Sequence, residues 1–384
     1  MTDFEHILPL WHALKAAGAD FVLATVVDVE GPNYRKPGAR MLIAADGRRA
    51  GTVSGGCLEA EVVKRAWWLT ESGPVVQRYS TTEDDGDLPY GSGCGGVVYL
   101  LLERQSTAAP LLNALEMAFH ARTPLAIATI LDGAEIAKRV FAGPTIQGRH
   151  GAKINTGSAD ATLGDLARLA LDRMQSIDQI LMLEERETRV WVDYRVARPG
   201  LWIFGAGDDA MPLMRLAREL GWFVAIADGR SHLATRLRFP SADNVITLSI
   251  PEMPGAGSLL MDEVKATDAV VLLTHSFEQD SYILASLLAR SVLPVYLGVL
   301  GPQRRTREVL AEAAELLGLR DPAERTEHWL AQLHAPTGLD LGAETPAAIA
   351  LSIIAEIQQT LSNGSALPLR QVRAVGSRIS RVES

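Results

Sequence analysis

Two kinds of hydrophobic pattern run along the chain, and they change over near residue 197. In the first part, Leu8 to Ala17 carries apolar residues at helical spacing and Phe21 to Val29 is a β-branched run of strand type. Gly31-Pro32-Asn33 through Lys36-Pro37-Gly38 reads as a turn-rich loop. Met41 to Ala45 and Arg49 to Val53 flank Asp46-Gly47, a dipeptide suited to the positive φ of a tight turn, and so predict a hairpin. Cys57 to Thr70 predicts a helix with Leu58, Val62, Ala66 and Leu69 on one face. Val97 to Leu102 (strand), Leu111 to Ala121 (helix), Leu125 to Leu131 (strand), Leu163 to Met174 (helix) and a terminal strand pair complete an α+β pattern.

Ala197-Arg198-Pro199-Gly200 then marks a boundary. Beyond it, short continuous apolar strands at Leu201 to Phe204, Phe223 to Ala227, Asn244 to Leu248, Ala269 to Thr274 and Pro294 to Leu297 alternate with helical segments. That alternation predicts a parallel sheet covered on both faces. The organisation expected is therefore α/β: an α+β domain over 1–196, a parallel-sheet domain over 197–361, and a flexible basic tail over 362–384 carrying Arg370, Arg373, Arg378 and Arg381.

Composition narrows the function. With 384 residues, 47% hydrophobic and 22% charged, the chain has material for two or three domains with sizeable cores. Its net charge of -9 argues against nucleic acid as a partner, because such binding rests on a basic surface that displaces phosphate counterions. The start carries Asp3, Glu5 and His6 instead of a basic stretch and apolar core, and no run approaches the roughly 18 apolar residues of a membrane span. No membrane partner and a cytoplasmic location, with reduced thiols, are the expectation.

The parallel-sheet domain opens with a nucleotide-type motif. Leu201-Trp202-Ile203-Phe204 runs into Gly205-Ala206-Gly207-Asp208-Asp209-Ala210, then a helix, a strand and Asp228. In a Rossmann-like domain the first glycine allows the tight turn, the second lets a pyrophosphate approach the backbone, and a small third residue allows close helix packing. Gly205, Gly207 and Ala210 fit those places, and Asp228 is spaced to accept from ribose hydroxyls, which favours NAD over NADP. Asp208 and Asp209 stand where a phosphate would be received and would repel it unless their side chains face away. A second phosphate grip is suggested where Gly298-Val299-Leu300-Gly301 opens a helix with Arg304, Arg305 and Arg307; the competing reading is a solvated arginine-rich helix. His275, Glu278, Asp280, His334 and Asp340 have no diagnostic metal-ligand spacing.

The chain has two cysteines, each inside a glycine-rich loop: Ser54-Gly55-Gly56-Cys57 and Gly91-Ser92-Gly93-Cys94-Gly95-Gly96. Glycines strip the neighbourhood of side chains and leave backbone N–H groups and thiols to meet a ligand. A helix start favours thiolate at Cys57, and successive N–H groups around Cys94 suit an anion-binding nest. Converging loops would put soft sulfur beside anion-binding backbone, which fits a thiophilic metal on a phosphate-bearing organic group. Two tight turns holding small buried cysteines is the alternative.

Several of these motifs together resemble one family. Gly38-Ala39-Arg40-Met41 and Gly51-Thr52-Val53-Ser54-Gly55-Gly56-Cys57-Leu58-Glu59-Ala60-Glu61 resemble the N-terminal module of the XdhC/CoxI family, accessory factors of xanthine and carbon monoxide dehydrogenases. Gly93-Cys94-Gly95-Gly96, the Gly205 to Ala210 motif, Leu273-Thr274-His275, Gly298 to Gly301 and the run His334 to Pro346 resemble that family in the same order, covering about Leu10 to Leu361. The resemblance implies a non-catalytic, cytoplasmic chaperone that binds molybdenum cofactor (molybdopterin), supports its sulfuration and passes it to a molybdenum hydroxylase. It implies as partners the apo-hydroxylase, a cysteine desulfurase and a cofactor nucleotidyltransferase, and it leaves room for a homodimer. On this reading Ser54, Gly55, Gly56, Cys57, Gly93, Cys94, Gly95 and Gly96 face the molybdenum end, with Cys57 and Cys94 as metal contacts. Gly205, Gly207, Ala210, Asp228, Arg304 and Arg305 would then hold nucleotide or the pterin phosphate. The rival is an NAD(P)-dependent oxidoreductase, weakened because Lys265 is the sole lysine after Arg198 and the histidines form no catalytic arrangement.

Overall fold

A computed structural model describes residues 4–56, 58–80, 96–144, 158–249 and 259–376. It separates into two compact units, Met1–Arg198 and Pro199–Ser384.

The first unit begins with α1 (Phe4–Ala17), which buries Phe4, Ile7, Leu8, Trp11 and Leu14 along one stripe. β1 (Phe21–Glu30), the hairpin β2 (Arg40–Ala44) and β3 (Arg49–Gly51), α2 (Glu59–Leu69), β4 (Val75–Ser80) and β5 (Val97–Arg104) follow. The strands make an antiparallel sheet ordered β3-β2-β1-β5-β4. α3 (Gln105–Ala121), β6 (Leu125–Ile130), β7 (Arg139–Ala142), α4 (Ser158–Arg173), β8 (Ile177–Leu183) and β9 (Arg186–Arg195) add a second antiparallel sheet, β7-β6-β9-β8.

β1 shows no alternation because both its faces are covered. Phe21 and Leu23 pack with α1 and α3, while Val22, Ala24 and Val26 pack with Leu58, Val62 and Ala66 around α2. β6 behaves alike: Leu125 and Ile127 share the α1 and α3 core, and Ala126, Ala128 and Ile130 face α4. α1 and α3 thus supply one core common to both sheets. The sequence pattern misses β4 and β7, which are short strands at sheet edges with mostly half-buried residues.

Polar clamps also tie the sheets together. Arg40 on β2 donates to Asp193 on β9 at 2.6 Å, and Arg195 donates to the same carboxylate at 2.7 Å. Arg139 on β7 grips Glu103 on β5 through two bonds of 2.8 and 2.5 Å. Asp193 and Glu103 are almost fully buried, so their charges are compensated by these arginines and not by water.

The second unit is a parallel sheet. Its elements are β10 (Gly200–Phe204), α5 (Ala210–Glu219), β11 (Phe223–Asp228), β12 (Asn244–Thr247), α6 (Leu259–Glu263), β13 (Ala269–Leu272), α7 (Phe277–Leu288), β14 (Tyr296–Val299), α8 (Gln303–Leu316), α9 (Pro322–Leu330), α10 (Pro346–Ser362) and α11 (Leu369–Gly376). The order β12-β11-β10-β13-β14 means the chain steps outward from β10, returns, and continues on the other side. The switch point, where open α/β sheets bind ligands, lies between β10 and β13. Leu201 and Ile203 face α5 and α10; Trp202 and Phe204 face α7, α8 and α9.

Two details differ from the sequence pattern. The fifth strand is Tyr296–Val299, two residues later than Pro294 to Leu297, because Gly298 belongs inside it: a Cβ there would meet Thr337 Oγ1 at 2.5 Å and the Tyr296 ring at 2.7 Å. Within the tail expected to be frayed, Leu369–Gly376 forms a helix entered through Pro368, whose carbonyl accepts from Gln371. Among the described residues, no helix is long and apolar enough to cross a membrane.

Candidate functional site

Around the first cysteine loop, the chain is held by a buried acid. Glu59, the first residue of α2, is 1% exposed. Its Oε1 accepts from the amides of Val53 (3.2 Å) and Ser54 (2.9 Å), and its Oε2 accepts from the Ser54 hydroxyl at 2.5 Å. The Ser54 hydroxyl in turn accepts from the amides of Gly56 and Leu58, each at 3.2 Å. Burial pushes the Glu59 carboxyl up, but the Ser54 hydroxyl and the amides outweigh it and hold it below its usual range. The result is a loop clamp in which Glu59 collects the amides of Val53 and Ser54, and the Ser54 hydroxyl collects those of Gly56 and of Leu58, the residue before α2. Ser54 is thereby a scaffold for the loop, pinning it on both sides of position 57.

Cys57, Gly93, Cys94 and Gly95 lie outside the described residues; Ser54, Gly55, Gly56 and Gly96 lie within them. A Cβ on Gly55 would come within 3.6 Å of Tyr34, and one on Gly96 within 2.7 Å of the Asn33 side chain. Asn33 itself donates to the carbonyls of Glu30 (2.8 Å) and Val97 (3.2 Å), binding the ends of β1 and β5 together. The flanks of both cysteine loops therefore meet one loop, residues 31–34. Gly56, at φ +114°, has no atom of the described residues within 4 Å of where its Cβ would be.

The sequence signal for Glu59 was present but ambiguous, since an acid in a first helical turn usually complements the dipole from solvent. Its spacing of five from Ser54, within the glycine run, is what distinguishes it. Replacing Glu59 by alanine is expected to cost about 3 kcal/mol, as the two amides and the hydroxyl lose a charged acceptor; Glu59→Asp should not restore it, being one methylene short. Thermal unfolding of the two variants checks this.

In the Rossmann-like unit the glycine motif is built as follows. Gly205 (φ +126°) sits against the Leu273 carbonyl, 2.7 Å from its carbon to the Cβ position. Ala210 is fully buried at the start of α5, which lets that helix close on the sheet. Gly207 is covered by Asp209, whose Oδ1 lies 2.7 Å from the Cβ position and accepts from Ala210 N at 3.0 Å. Asp208 is exposed and pairs with Arg238 at 2.8 Å. The Asp209 carboxylate thus occupies the approach to Gly207 that a pyrophosphate would use, while Asp208 is turned to Arg238.

Asp228, spaced for ribose, is fully buried and engaged elsewhere. Its Oδ2 accepts from Ala206 N at 2.7 Å and from Arg230 at 2.8 Å; its Oδ1 accepts from Arg230 N at 2.8 Å and Arg230 Nε at 3.0 Å. Burial pushes this carboxyl up, and the bonds from Arg230 and Ala206 more than reverse the effect. Across the switch point Gln279 of α7 accepts from Gly229 N at 3.3 Å. Arg230, Thr274, His275, Ser276 and Gln279 line a cavity of about 210 Å³ there.

The arginine helix divides its charges. Arg304 is 90% exposed and pairs with Glu308, and Arg307 pairs with Glu327, so both belong to the solvated face. Arg305 alone turns inward, 2.8 Å from buried Asp280, which also accepts from Thr274 at 2.6 Å. His334 stacks on Tyr296 at 4.1 Å and shares Glu356 with it, at 3.0 and 2.6 Å. This run adds a bridge to the edge of β14, where Val299 N donates to His334 O and Thr337 N to Val299 O. Among the described residues, no group of three or more His, Cys, Asp or Glu is placed to hold a metal ion.

An antiparallel two-sheet unit followed by a Rossmann-like parallel-sheet unit defines a two-unit α/β chain. The family model of the XdhC Rossmann domain matches residues 201–357, and that of the XdhC and CoxI family matches residues 14–80. A Bacillus subtilis (strain 168) protein, named as a probable subunit of xanthine dehydrogenase, is 31% identical over 353 residues, spanning 91% of this chain and 95% of the relative. This chain belongs to the XdhC and CoxI family. The molybdenum cofactor insertion chaperone PaoD of Escherichia coli (strain K12) is 26% identical over 93% of this chain and 89% of its own length. A crystal structure described as a xanthine dehydrogenase from Bacillus halodurans superposes with a TM-score of 0.67 at 26% identity, covering 97% of this chain and all of that one.

Proposed function

We propose that this chain is a molybdenum cofactor chaperone serving a hydroxylase of the xanthine dehydrogenase type. It binds the cofactor, keeps it accessible for sulfuration by a cysteine desulfurase, and releases it to the apo-hydroxylase. The observation that carries the reading is the relationship, along nearly the whole chain, to a molybdenum cofactor insertion chaperone. The geometry of the first loop supports it. Ser54 and Glu59 pin the backbone on both sides of position 57, and no atom of the described residues lies within 4 Å of the Gly56 Cβ position beside it.

On this reading the Cys57 and Cys94 thiols face the molybdenum end of the cofactor, and Ser54, Gly55, Gly56, Gly93, Gly95 and Gly96 shape the cradle. When bound, the cofactor supplies the metal and its sulfur-accepting position. The residues of this chain bind and orient it and do not turn over a substrate. Thiolates suit molybdenum because soft sulfur donors match a thiophilic metal.

Protein produced in the presence of molybdate is expected to carry molybdenum and pterin fluorescence. The double variant Cys57→Ala, Cys94→Ala is expected to lose at least ninety per cent of both while keeping its melting temperature. Equal retention by the variant would overturn the assignment of the thiols.

A further inference from the structure

The switch-point crevice of the Rossmann unit is built differently from a dinucleotide site, and the difference lies in where its charges have been spent. A ribose diol reads a free carboxylate at the end of the second strand, and a pyrophosphate needs a bare second glycine. Neither is present. Both Asp228 oxygens are taken by Ala206 N and Arg230, and Gly207 is covered by the Asp209 carboxylate. What the crevice does present is the outer edge of Arg230.

A guanidinium has five N–H donors in a planar fork. Asp228 uses Nε and one hydrogen of Nη2. That leaves the edge formed by Nη1 and the second Nη2 hydrogen, which is the edge that matches two oxygens of a phosphate. The Arg230 side chain is 39% exposed and lines the 210 Å³ cavity with Thr274, His275, Ser276 and Gln279. A cavity of that size takes a phosphate group with part of a sugar, and is too small for a whole dinucleotide. Ser276 also caps α7, so the positive end of that helix lies in the same wall. Of the acids around the cavity, Asp280 is occupied by Arg305 and Thr274, while Asp209, which accepts from Ala210 N, also lies within electrostatic reach of Arg230 and helps hold it protonated.

We infer that this crevice is a phosphomonoester site in which Arg230, held by Asp228, receives a dianionic phosphate end-on, with His275 and the start of α7 beside it. The inference deepens the chaperone reading by naming the chemistry its Rossmann unit selects, but it stands on the second unit alone. A 2′-phosphate on a nucleotide and the terminal phosphate of a 5′-monophosphate or a pterin share this chemistry. It also reverses the preference for NAD that Asp228 suggests from its spacing.

Isothermal titration of the full chain with NAD, NADP, cytidine 5′-monophosphate and inorganic phosphate tests it. NADP and NAD differ by one phosphomonoester, and NADP is expected to bind at least tenfold more tightly if the phosphate is nucleotide-borne at the 2′ position. Tighter binding of cytidine 5′-monophosphate than of NAD would place the monoester at a 5′ position, and supports the inference equally. In either case Arg230→Gln is expected to remove the preference. Arg230→Lys keeps the ion pair to Asp228 and guards against unfolding; it should weaken the phosphate ester at least fivefold because it lacks the fork. NAD binding as tightly as every monoester, or a preference unchanged in both Arg230 variants, would overturn the inference. Because pterin and molybdenum content are read separately, failure here leaves the chaperone reading standing, and loss of that reading leaves this one measurable.

Discussion

Replacing Asp193 by alanine is expected to destabilise the first unit by about 3–5 kcal/mol, the cost of breaking a buried pair from one side. Asp193 is 1% exposed and receives Arg40 at 2.6 Å and Arg195 at 2.7 Å. Burial pulls the Arg40 guanidinium down to about 10 even with Asp193 beside it, so it is charged at neutral pH and removing the carboxylate strands a cation on β2 that is only 6% exposed. The clamp also explains Gly38, whose φ is +91° and whose Cβ position is filled by the Arg195 guanidinium. Asp193 carries a pH signature as well. Burial pushes its carboxyl up, but the charges of Arg195 and Arg40 outweigh burial and hold it below the usual range. A carboxyl lowered on folding adds stability above its unfolded value near pH 4, and that stability drains away as pH falls through the native value. Urea unfolding followed between about pH 3 and 7 should show a steeper acid limb in the natural protein than in Asp193→Asn. Coincident limbs would mean that the clamp does not control acid stability.

The parts of this fold written in local sequence were readable there. Gly205, Gly207, Ala210 and Asp228 announce a Rossmann turn because steric need fixes their types, and the parallel sheet forms around them with the expected order of elements. The hairpin at Asp46-Gly47 is equally local, with Gly47 at φ +86°. What was not legible depends on partners far away in the chain. Arg40 pairs with a residue 153 positions later and Arg139 with one 36 positions earlier, so their roles as clamps cannot be read from spacing. Asp228 is the instructive case. Its position is where the motif places a ribose acceptor, yet Arg230, two residues on, consumes its oxygens, and nothing in the motif requires an arginine to turn back. Arg304, Arg305 and Arg307 look alike in sequence, and only the buried Asp280 selects Arg305 to turn inward. The cysteine loops were visible as glycine clusters, while their common neighbour, the loop over residues 31–34, emerges from the pairing of β1 with β5.

Gly205→Ala is expected to destabilise the second unit by about 2–6 kcal/mol, whereas Gly207→Ala should change stability by less than about 1 kcal/mol. Gly205 lies at φ +126°, a region that side chains rarely enter, and an added methyl would meet Leu273 C at 2.7 Å, Leu273 O at 2.8 Å and Thr274 N at 3.0 Å. None of these atoms can yield cheaply. Leu273 N donates to Phe204 O and Gly205 N donates to Ala227 O, so the turn is fastened to both neighbouring strands of the sheet. At Gly207 the close atoms among the described residues belong to the Asp209 carboxyl, a short side chain that can swing into solvent on giving up its bond from Ala210 N. The two glycines of one motif therefore separate into a folding requirement and a ligand requirement. Thermal unfolding reads the first directly. The second appears only in binding: with the phosphate held at Arg230 and not at the glycine turn, Gly207→Ala should leave the affinity for a phosphomonoester within about twofold. A tenfold loss in Gly207→Ala would show that the ligand's phosphate does reach the glycine turn, with Asp209 moving aside to admit it.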